Sequence, residues 1–365
     1  MTKVPRTILL NPGPVTLSDR VRKALMSGDW CHREPEFADL TRDINRRLVR
    51  VYREMTGKYE SVILTGSGTC AVEAMLASFA PHDASTLVLA NGVYGERMAR
   101  MLEAHGRPHH LLKAAWGDAI DLDQVRNELQ KHPDIRYVAV VHHETTTGRL
   151  NNLTALSKVC AERGAGLLLD SVSSFGAEAI NADELNIAAL AATANKCLHG
   201  VPGISFVLAR KDAWRNHLVP AGSVYLDLAP YHEAQHSQGY SPFTQSVQPA
   251  FALREALEEL EETGGWEQRR SVYRRRAGYI AVTLKKLGLQ TMLPPEEYSC
   301  VLWSWLLPEG LRYQHVHASL KRDGFIVYQG QGHFSQEMFR IAHMGDIHND
   351  DLDRLEAALR KCFAR

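Results

Sequence analysis

At 365 residues the chain exceeds what one hydrophobic core usually organises, so two domains are expected. Lys+Arg and Asp+Glu both total 42, so there is no net charge and no sign of a polyanion partner such as nucleic acid. Hydrophobic residues at 45% and charged residues at 23% suit a soluble enzyme, and no apolar run approaches the roughly 18 residues of a membrane span.

The amino terminus, MTKVPRTILLNPGP, lacks the apolar core of a signal peptide, and a cytoplasmic location is expected. ILLNPGPVTLSDRVRKALMSGDW reads as a short strand, a Pro/Gly turn and a helix capped near Thr16 or Ser18. Gly13 in that turn permits close backbone approach. A polar loop, WCHREPEF, leads into an amphipathic helix from about Phe37 to Thr56. At 61–79, SVILTGSGTCAVEAMLASF runs from a β-branched strand through Gly66-Ser67-Gly68-Thr69 into a small-residue helix. Glycines there admit an anion, and the free N–H groups and dipole of the helix start favour a phosphate.

Strand and helix then alternate. TLVLANG is a strand, VYGERMARMLEAHG a helix, and HHLLKAAWG a strand or loop. IDLDQVRNELQKH is a helix, IRYVAVVHHETTTG a buried strand with a polar end, and NNLTALSKVCAERG a helix. GLLLDSV is a strand, LNIAALAATANK a helix or short strand, and ISFVLA a further strand. Such alternation means a mostly parallel α/β sheet with covering helices, whose ligands gather at the carboxyl ends of the strands. Residues 221–248 are loop-rich but aromatic, which argues for ordered packing, and the tail alternates into a smaller α+β unit. The expected division is 1–250 and 251–365, with the amino-terminal residues packing on the smaller domain. Cysteines at 31, 70, 160, 197, 300 and 362 are scattered and read as free thiols. The doublets His109-His110 and His142-His143 themselves sit in no H-E-x-x-H spacing or carboxylate cluster, and no metal site is expected.

The chain is organised around residues 167–203. An apolar run ends on Asp170, and about one helix later come Asn195 and Lys196, then a Gly-Pro-Gly loop. Taken alone, Asp170 also fits a helix cap and Lys196 a solvated loop lysine. Taken together they fit pyridoxal phosphate, with Lys196 bonding the cofactor and Asp170 pairing with its pyridinium nitrogen.

The motifs LNPGP (10–14), LTGSGTCAVEA (64–74), ANGVYGERM (90–98), HHETTTGRLN (142–151), LDSVSSFG (169–176), ANKCLHGVPGISFVLAR (194–210) and MFRIAHMGD (338–346) run the length of the chain. In this set and order the chain resembles the class V, fold-type I aminotransferases, most of all the branch acting on 2-aminoethylphosphonate. The resemblance implies a mostly parallel, seven-stranded-type sheet with a smaller carboxyl-terminal α+β domain. It implies pyridoxal phosphate bound by Ser67, Gly68, Thr69, Tyr94, Thr145, Asp170, Asn195 and Lys196. Thr244 would reach the neighbouring subunit's phosphate across a homodimer with shared active sites. Arg340, with Gly13 nearby, would hold substrate, because a guanidinium fork pairs bidentately with a carboxylate or phosphonate. The implied reaction moves the amino group of 2-aminoethylphosphonate, a small-molecule amine donor, to the keto acid pyruvate, giving phosphonoacetaldehyde and alanine. One loop departs from that branch: GDWCHREPEF replaces its usual D-W-x-S-W-D type segment and is closer to broader class V chains. An alanine/serine–glyoxylate or serine–pyruvate enzyme, or a lyase on a related aminophosphonate, remains the alternative.

Overall fold

The computed structural model describes residues 6–363. After β1 (Ile8–Leu9) and its turn, Ser18 caps α1 (Asp19–Ala24) by accepting from the Val21 N–H. The next helix, α2 (Pro35–Arg50), stops at Arg50 rather than the expected Thr56. Tyr52 leaves helical geometry there, buries its ring, and donates its hydroxyl to the Glu178 carbonyl.

The large unit follows as β2 (Tyr59–Gly66), α3 (Gly68–Phe79), β3 (Ser85–Ala90), α4 (Val93–Ala104), β4 (His109–Lys113), α5 (Leu122–Lys131) and β5 (Ile135–Val141). It continues with the short pair β6 (His143–Glu144) and β7 (Arg149–Leu150), then α6 (Leu153–Ala161), β8 (Gly166–Asp170), β9 (Ile187–Thr193) and β10 (Gly203–Arg210). Seven strands form one sheet in the order β2-β10-β9-β8-β5-β3-β4, in which β10 runs antiparallel to both neighbours and the remaining pairs are parallel. Alternate residues of each strand feed opposite faces. Leu167 and Leu169 pack with α2, α5 and α6 on one side, while Leu168 packs with α3 and α4 on the other.

Two segments differ from expectation. No helix separates Asp170 from Asn195; the segment ends in strand β9. Its alanines would favour a helix by propensity, but Ala189 and Ala191 are wholly buried between two strands and beneath α3, and tertiary packing overrides the preference. The loop-rich stretch, which follows α7 (Lys211–Asn216), holds a helix of its own, α8 (Leu228–Ser237). Gln235 of α8 donates to the Ile63 carbonyl (2.7 Å) and accepts from the Ile63 N–H (3.0 Å). Its amide thus satisfies the free edge of β2, which would otherwise present unpaired backbone groups.

The chain ends with α9 (Val247–Glu262), α10 (Gly265–Lys286), β11 (Leu302–Leu306), α11 (Tyr313–Arg322), β12 (Phe325–Ile326), β13 (Tyr328–Gln329), β14 (Met338–Ala342) and α12 (Asn349–Phe363). β11, β14 and β13 form an antiparallel sheet, and β1 pairs in parallel with β12. Ile8, Leu284, Trp305, Phe325, Phe339 and Leu359 share one core there. Ala250, Leu253, Leu257 and Leu260 of α9 instead join the core of the large sheet. We therefore propose that the domain division lies after α9, near Gly264, rather than at 250. No helix among the described residues is long and apolar enough to cross a membrane.

Candidate active site

The carboxyl ends of β2, β3, β5, β8 and β9 converge on one crevice. Asp170, the last residue of β8, is buried, and its Oδ1 accepts from the Val172 N–H at 2.9 Å. Burial pushes its carboxyl up to about 6, opposed by the Val172 N–H, Lys196 and Arg97. Lys196 follows β9 and is partly buried; its Nζ donates to the Pro12 carbonyl. Burial pulls the Lys196 amine down to about 8, and the Arg340 charge adds to that, while Asp170 acts the other way. Asn195 beside it accepts from the Thr193 hydroxyl at 2.8 Å. Gly13 stands against the lysine: a Cβ there would lie 2.7 Å from Lys196 Cδ, and its φ of +116° suits only glycine.

At the start of α3, Ser67 occupies the cap position without a side-chain cap hydrogen bond, so the first-turn N–H groups stay open toward the crevice. A Cβ at Gly68 would stand 2.8 Å from Val172 Cγ1, so only glycine lets this turn approach the Asp170 strand end. Ser67 and Thr69 are exposed, and Arg97 donates to the Thr69 hydroxyl at 3.3 Å. Tyr94, on the first turn of α4, carries the Arg97 guanidinium 4.8 Å above its ring. Thr69, Tyr94, Arg97, Asp170 and Val172 line one small cavity.

Thr145 is buried, and its carbonyl accepts from Arg340 Nη1 at 2.7 Å. Arg340 lies on β14 and also donates to the Gln329 carbonyl (3.0 Å) and Gln331 Oε1 (3.2 Å). All three partners are neutral oxygens, and among the described residues no carboxylate forms an ion pair with it. A buried guanidinium so arranged offers its charge to an incoming anion. Thr244 does not join this group. It is exposed on the α8–α9 loop, where Ser246 N–H donates to the Thr65 hydroxyl at 2.9 Å. The departing loop lies on the same side, with Arg33 donating to the Pro242 carbonyl at 3.1 Å and Trp30 set edge-on to Phe251 at 4.9 Å.

Three residues here receive no individual role from the sequence, although His143 and Glu144 fall in a polar strand end that it singles out. Glu144 is fully buried and accepts from the Thr146 N–H (3.2 Å) and hydroxyl (2.6 Å), and Thr146 Oγ1 in turn accepts from the Val93 N–H at the start of α4 (3.1 Å). Burial raises its carboxyl to about 7. His143 bonds the Ser173 carbonyl through Nδ1 at 3.0 Å, and burial drives it down to about 3, so its ring is neutral. Arg97 is the third. Glu144 and His143 sit inside HHETTTG, so a polar run at a strand end was their available signal.

The donor set fits pyridoxal phosphate: an acid at a strand end, a lysine opposite, an aromatic ring, and an open helix start behind a glycine that tolerates no Cβ. Residues 41–345 match the family described as aminotransferase class-V. A bifunctional phosphonoacetaldehyde hydrolase/aminoethylphosphonate transaminase of Clostridioides difficile (strain 630) is 35% identical over 98% of this chain, which spans 56% of that longer protein. A 2-aminoethylphosphonate–pyruvate transaminase of Phocaeicola vulgatus is 34% identical over 97% of this chain and 98% of its own length. Among solved structures, an alanine–glyoxylate aminotransferase from Nostoc sp. superposes with a TM-score of 0.91 at 25% identity, covering 99% of this chain and 96% of that one.

Proposed function

The chain belongs to the class-V aminotransferases, and within that family we propose that it moves the amino group of 2-aminoethylphosphonate to pyruvate, giving phosphonoacetaldehyde and alanine. It is a pyridoxal-phosphate enzyme, and the bound cofactor supplies the electron sink that makes the donor's amine-bearing carbon acidic. The observation that carries the substrate reading is the full-length similarity to 2-aminoethylphosphonate–pyruvate transaminases. Arg340, buried beside Thr145 and bonded to neutral oxygens, supports it, since both keto acid and phosphonate need such a partner.

Each residue's part follows from its environment. Lys196, with its amine lowered to about 8, is neutral often enough that it would bond the aldehyde carbon of bound pyridoxal phosphate with loss of water. Freed by the donor amine, its Nζ would serve as the base and acid that moves the donor's proton. Asp170 would hold the ring nitrogen and keep it protonated. Tyr94 would hold the ring face, with α4 pinned by the Glu144–Thr146–Val93 chain. Ser67, Gly68, Thr69 and Asn195 would hold the phosphate, and Thr145 the phenolic oxygen. Arg340 binds pyruvate's carboxylate in the second half-reaction. Thr244, exposed beside the departing loop, completes the phosphate site of a second copy in a homodimer. The enzyme acts in the cytoplasm.

The test is product identification. Protein incubated with 2-aminoethylphosphonate and pyruvate is followed by phosphorus and proton magnetic resonance, in parallel with alanine or serine plus glyoxylate. Stoichiometric alanine and phosphonoacetaldehyde are expected. Turnover only in the glyoxylate arms would assign the chain to the alanine/serine branch.

A further inference from the structure

The expectation of no metal overlooks residues 232–236, His-Glu-Ala-Gln-His, which carry the H-E-x-x-H spacing. We propose that His232, His236 and Glu60 form a site for a divalent cation of the zinc class on the outer edge of the large sheet. All five residues of the motif lie within α8, and a spacing of four puts both histidines on one helix face. That face is held against β2 by the Gln235 amide, which bonds both backbone groups of Ile63. The third residue, Glu60, comes from β2 itself.

One ligand atom from each of the three residues lies within 4.8 Å of the others, and His232 Nε2 is 2.8 Å from a Glu60 carboxylate oxygen. Zinc bonds of about 2.0–2.2 Å separate tetrahedral ligand atoms by about 3.3–3.5 Å, so modest side-chain movement closes the site. Two imidazoles and one carboxylate, with a fourth position open to water or an anion, form a recognised zinc donor set.

The surroundings orient these groups. Trp214 stacks on His232 at 4.4 Å and 14°, and its Nε1 donates to the Glu60 carbonyl at 3.1 Å. His236 Nε2 lies 3.0 Å from the Ser61 carbonyl, which can only accept, so that nitrogen carries the proton and Nδ1 the lone pair. Metal-binding histidines characteristically give their second N–H to such an oxygen. A second triad, His110, His132 and Asp134, has comparable spacing, but its rings stack at 3.8 Å and 24°, closer and flatter than the 4.6 Å and 40° between His232 and His236. It serves as the internal control. Glu60 stands about 20 Å along β2 from the glycine turn at Gly66, so the cation takes no part in amino transfer.

The experiment uses tag-free holoenzyme, stripped with a chelator and titrated with Co2+ as a coloured probe and with Zn2+ by calorimetry. One tightly bound ion per chain and a tetrahedral cobalt spectrum are expected. His236→Ala and Glu60→Gln should each weaken binding roughly 10–100-fold, and the double variant H232A/H236A should abolish it. His236 is exposed, so its variant keeps its fold, and unchanged transamination checks this. His132→Ala should leave the ion in place. Binding that survives H232A/H236A, binding lost in His132→Ala, or no zinc uptake at about 1 mM metal would each overturn the proposal.

Discussion

Gly13 and the side chain of Lys196 are in direct apposition: a Cβ at position 13 would lie 2.7 Å from Lys196 Cδ and 2.8 Å from its Cε. The amino-terminal turn, carried by β1 in its pairing with β12, therefore packs the aliphatic stem of the lysine and accepts its amine at the Pro12 carbonyl. Gly13→Ala adds a contact clash to backbone strain at φ +116°, each worth about 1–3 kcal/mol. Turnover should fall at least about tenfold, with a displaced cofactor absorbance, because the clash falls on the reacting amine. Gly106→Ala, also at positive φ but facing open space, should leave both unchanged. Equal losses in the two variants would remove the claim that Gly13 positions Lys196.

Asp170→Asn keeps the size of the side chain and an oxygen for the Val172 N–H but loses the buried charge. Breaking a buried charge pair costs roughly 3–5 kcal/mol, so turnover should fall about 10^2–10^4-fold with little change in cofactor content. Steady-state rates alongside cofactor absorbance give the answer. A loss of cofactor with normal turnover of the remainder would assign Asp170 a merely structural part.

The titrations set a pH signature in cofactor-free protein. Lys196 is lowered to about 8 from 10.5, so between those values the unfolded chain binds more protons and stability rises with pH. Asp170 is raised to about 6 from 3.8, so across that window the folded chain holds the extra proton and stability falls as pH climbs. Glu144, His143 and Cys197 titrate over overlapping windows, so each slope is read as a difference from a variant: chemical denaturation across pH should show the first contribution removed in Lys196→Met and the second in Asp170→Asn. The rate of cofactor uptake should rise toward pH 8 and level off above it. An uptake rate that keeps rising through pH 10 would mean that Lys196 is not lowered.

Arg340→Lys retains charge but loses the planar fork that bonds Thr145, Gln329 and Gln331 together. The KM for pyruvate should rise roughly 10–100-fold, from about 1.5–3 kcal/mol of charge-assisted bonding, with kcat changed less. An unchanged KM would place the keto-acid carboxylate elsewhere.

Much of this site is readable in the chain because local signals coincide with its geometry. The run from Ser61 to Phe79 switches from a strand pattern to a small-residue helix across two glycines, and Asp170 ends an apolar run flanked by turns. The residues around Ile187–Thr193 were not decidable, because alanine and leucine suit both a helix and a strand buried on two faces. Gln235 illustrates another limit. A glutamine on a polar helix gives no sign that it satisfies the edge of a strand far away in sequence. Glu144 and Arg97 act through partners brought together only by the sheet, so their roles are invisible to spacing. The His232–His236 spacing was local and legible, but its third partner, Glu60, is supplied by the docking of α8 on β2.

The most direct test of the central claim is a half-reaction on the purified, cofactor-loaded protein. 2-Aminoethylphosphonate is added without any keto acid, and the cofactor absorbance is followed in a stopped flow. Conversion to the amine form by the phosphonate, reversed by pyruvate and absent in Lys196→Ala, is the predicted result. Conversion by alanine or serine with the phosphonate inert would contradict it.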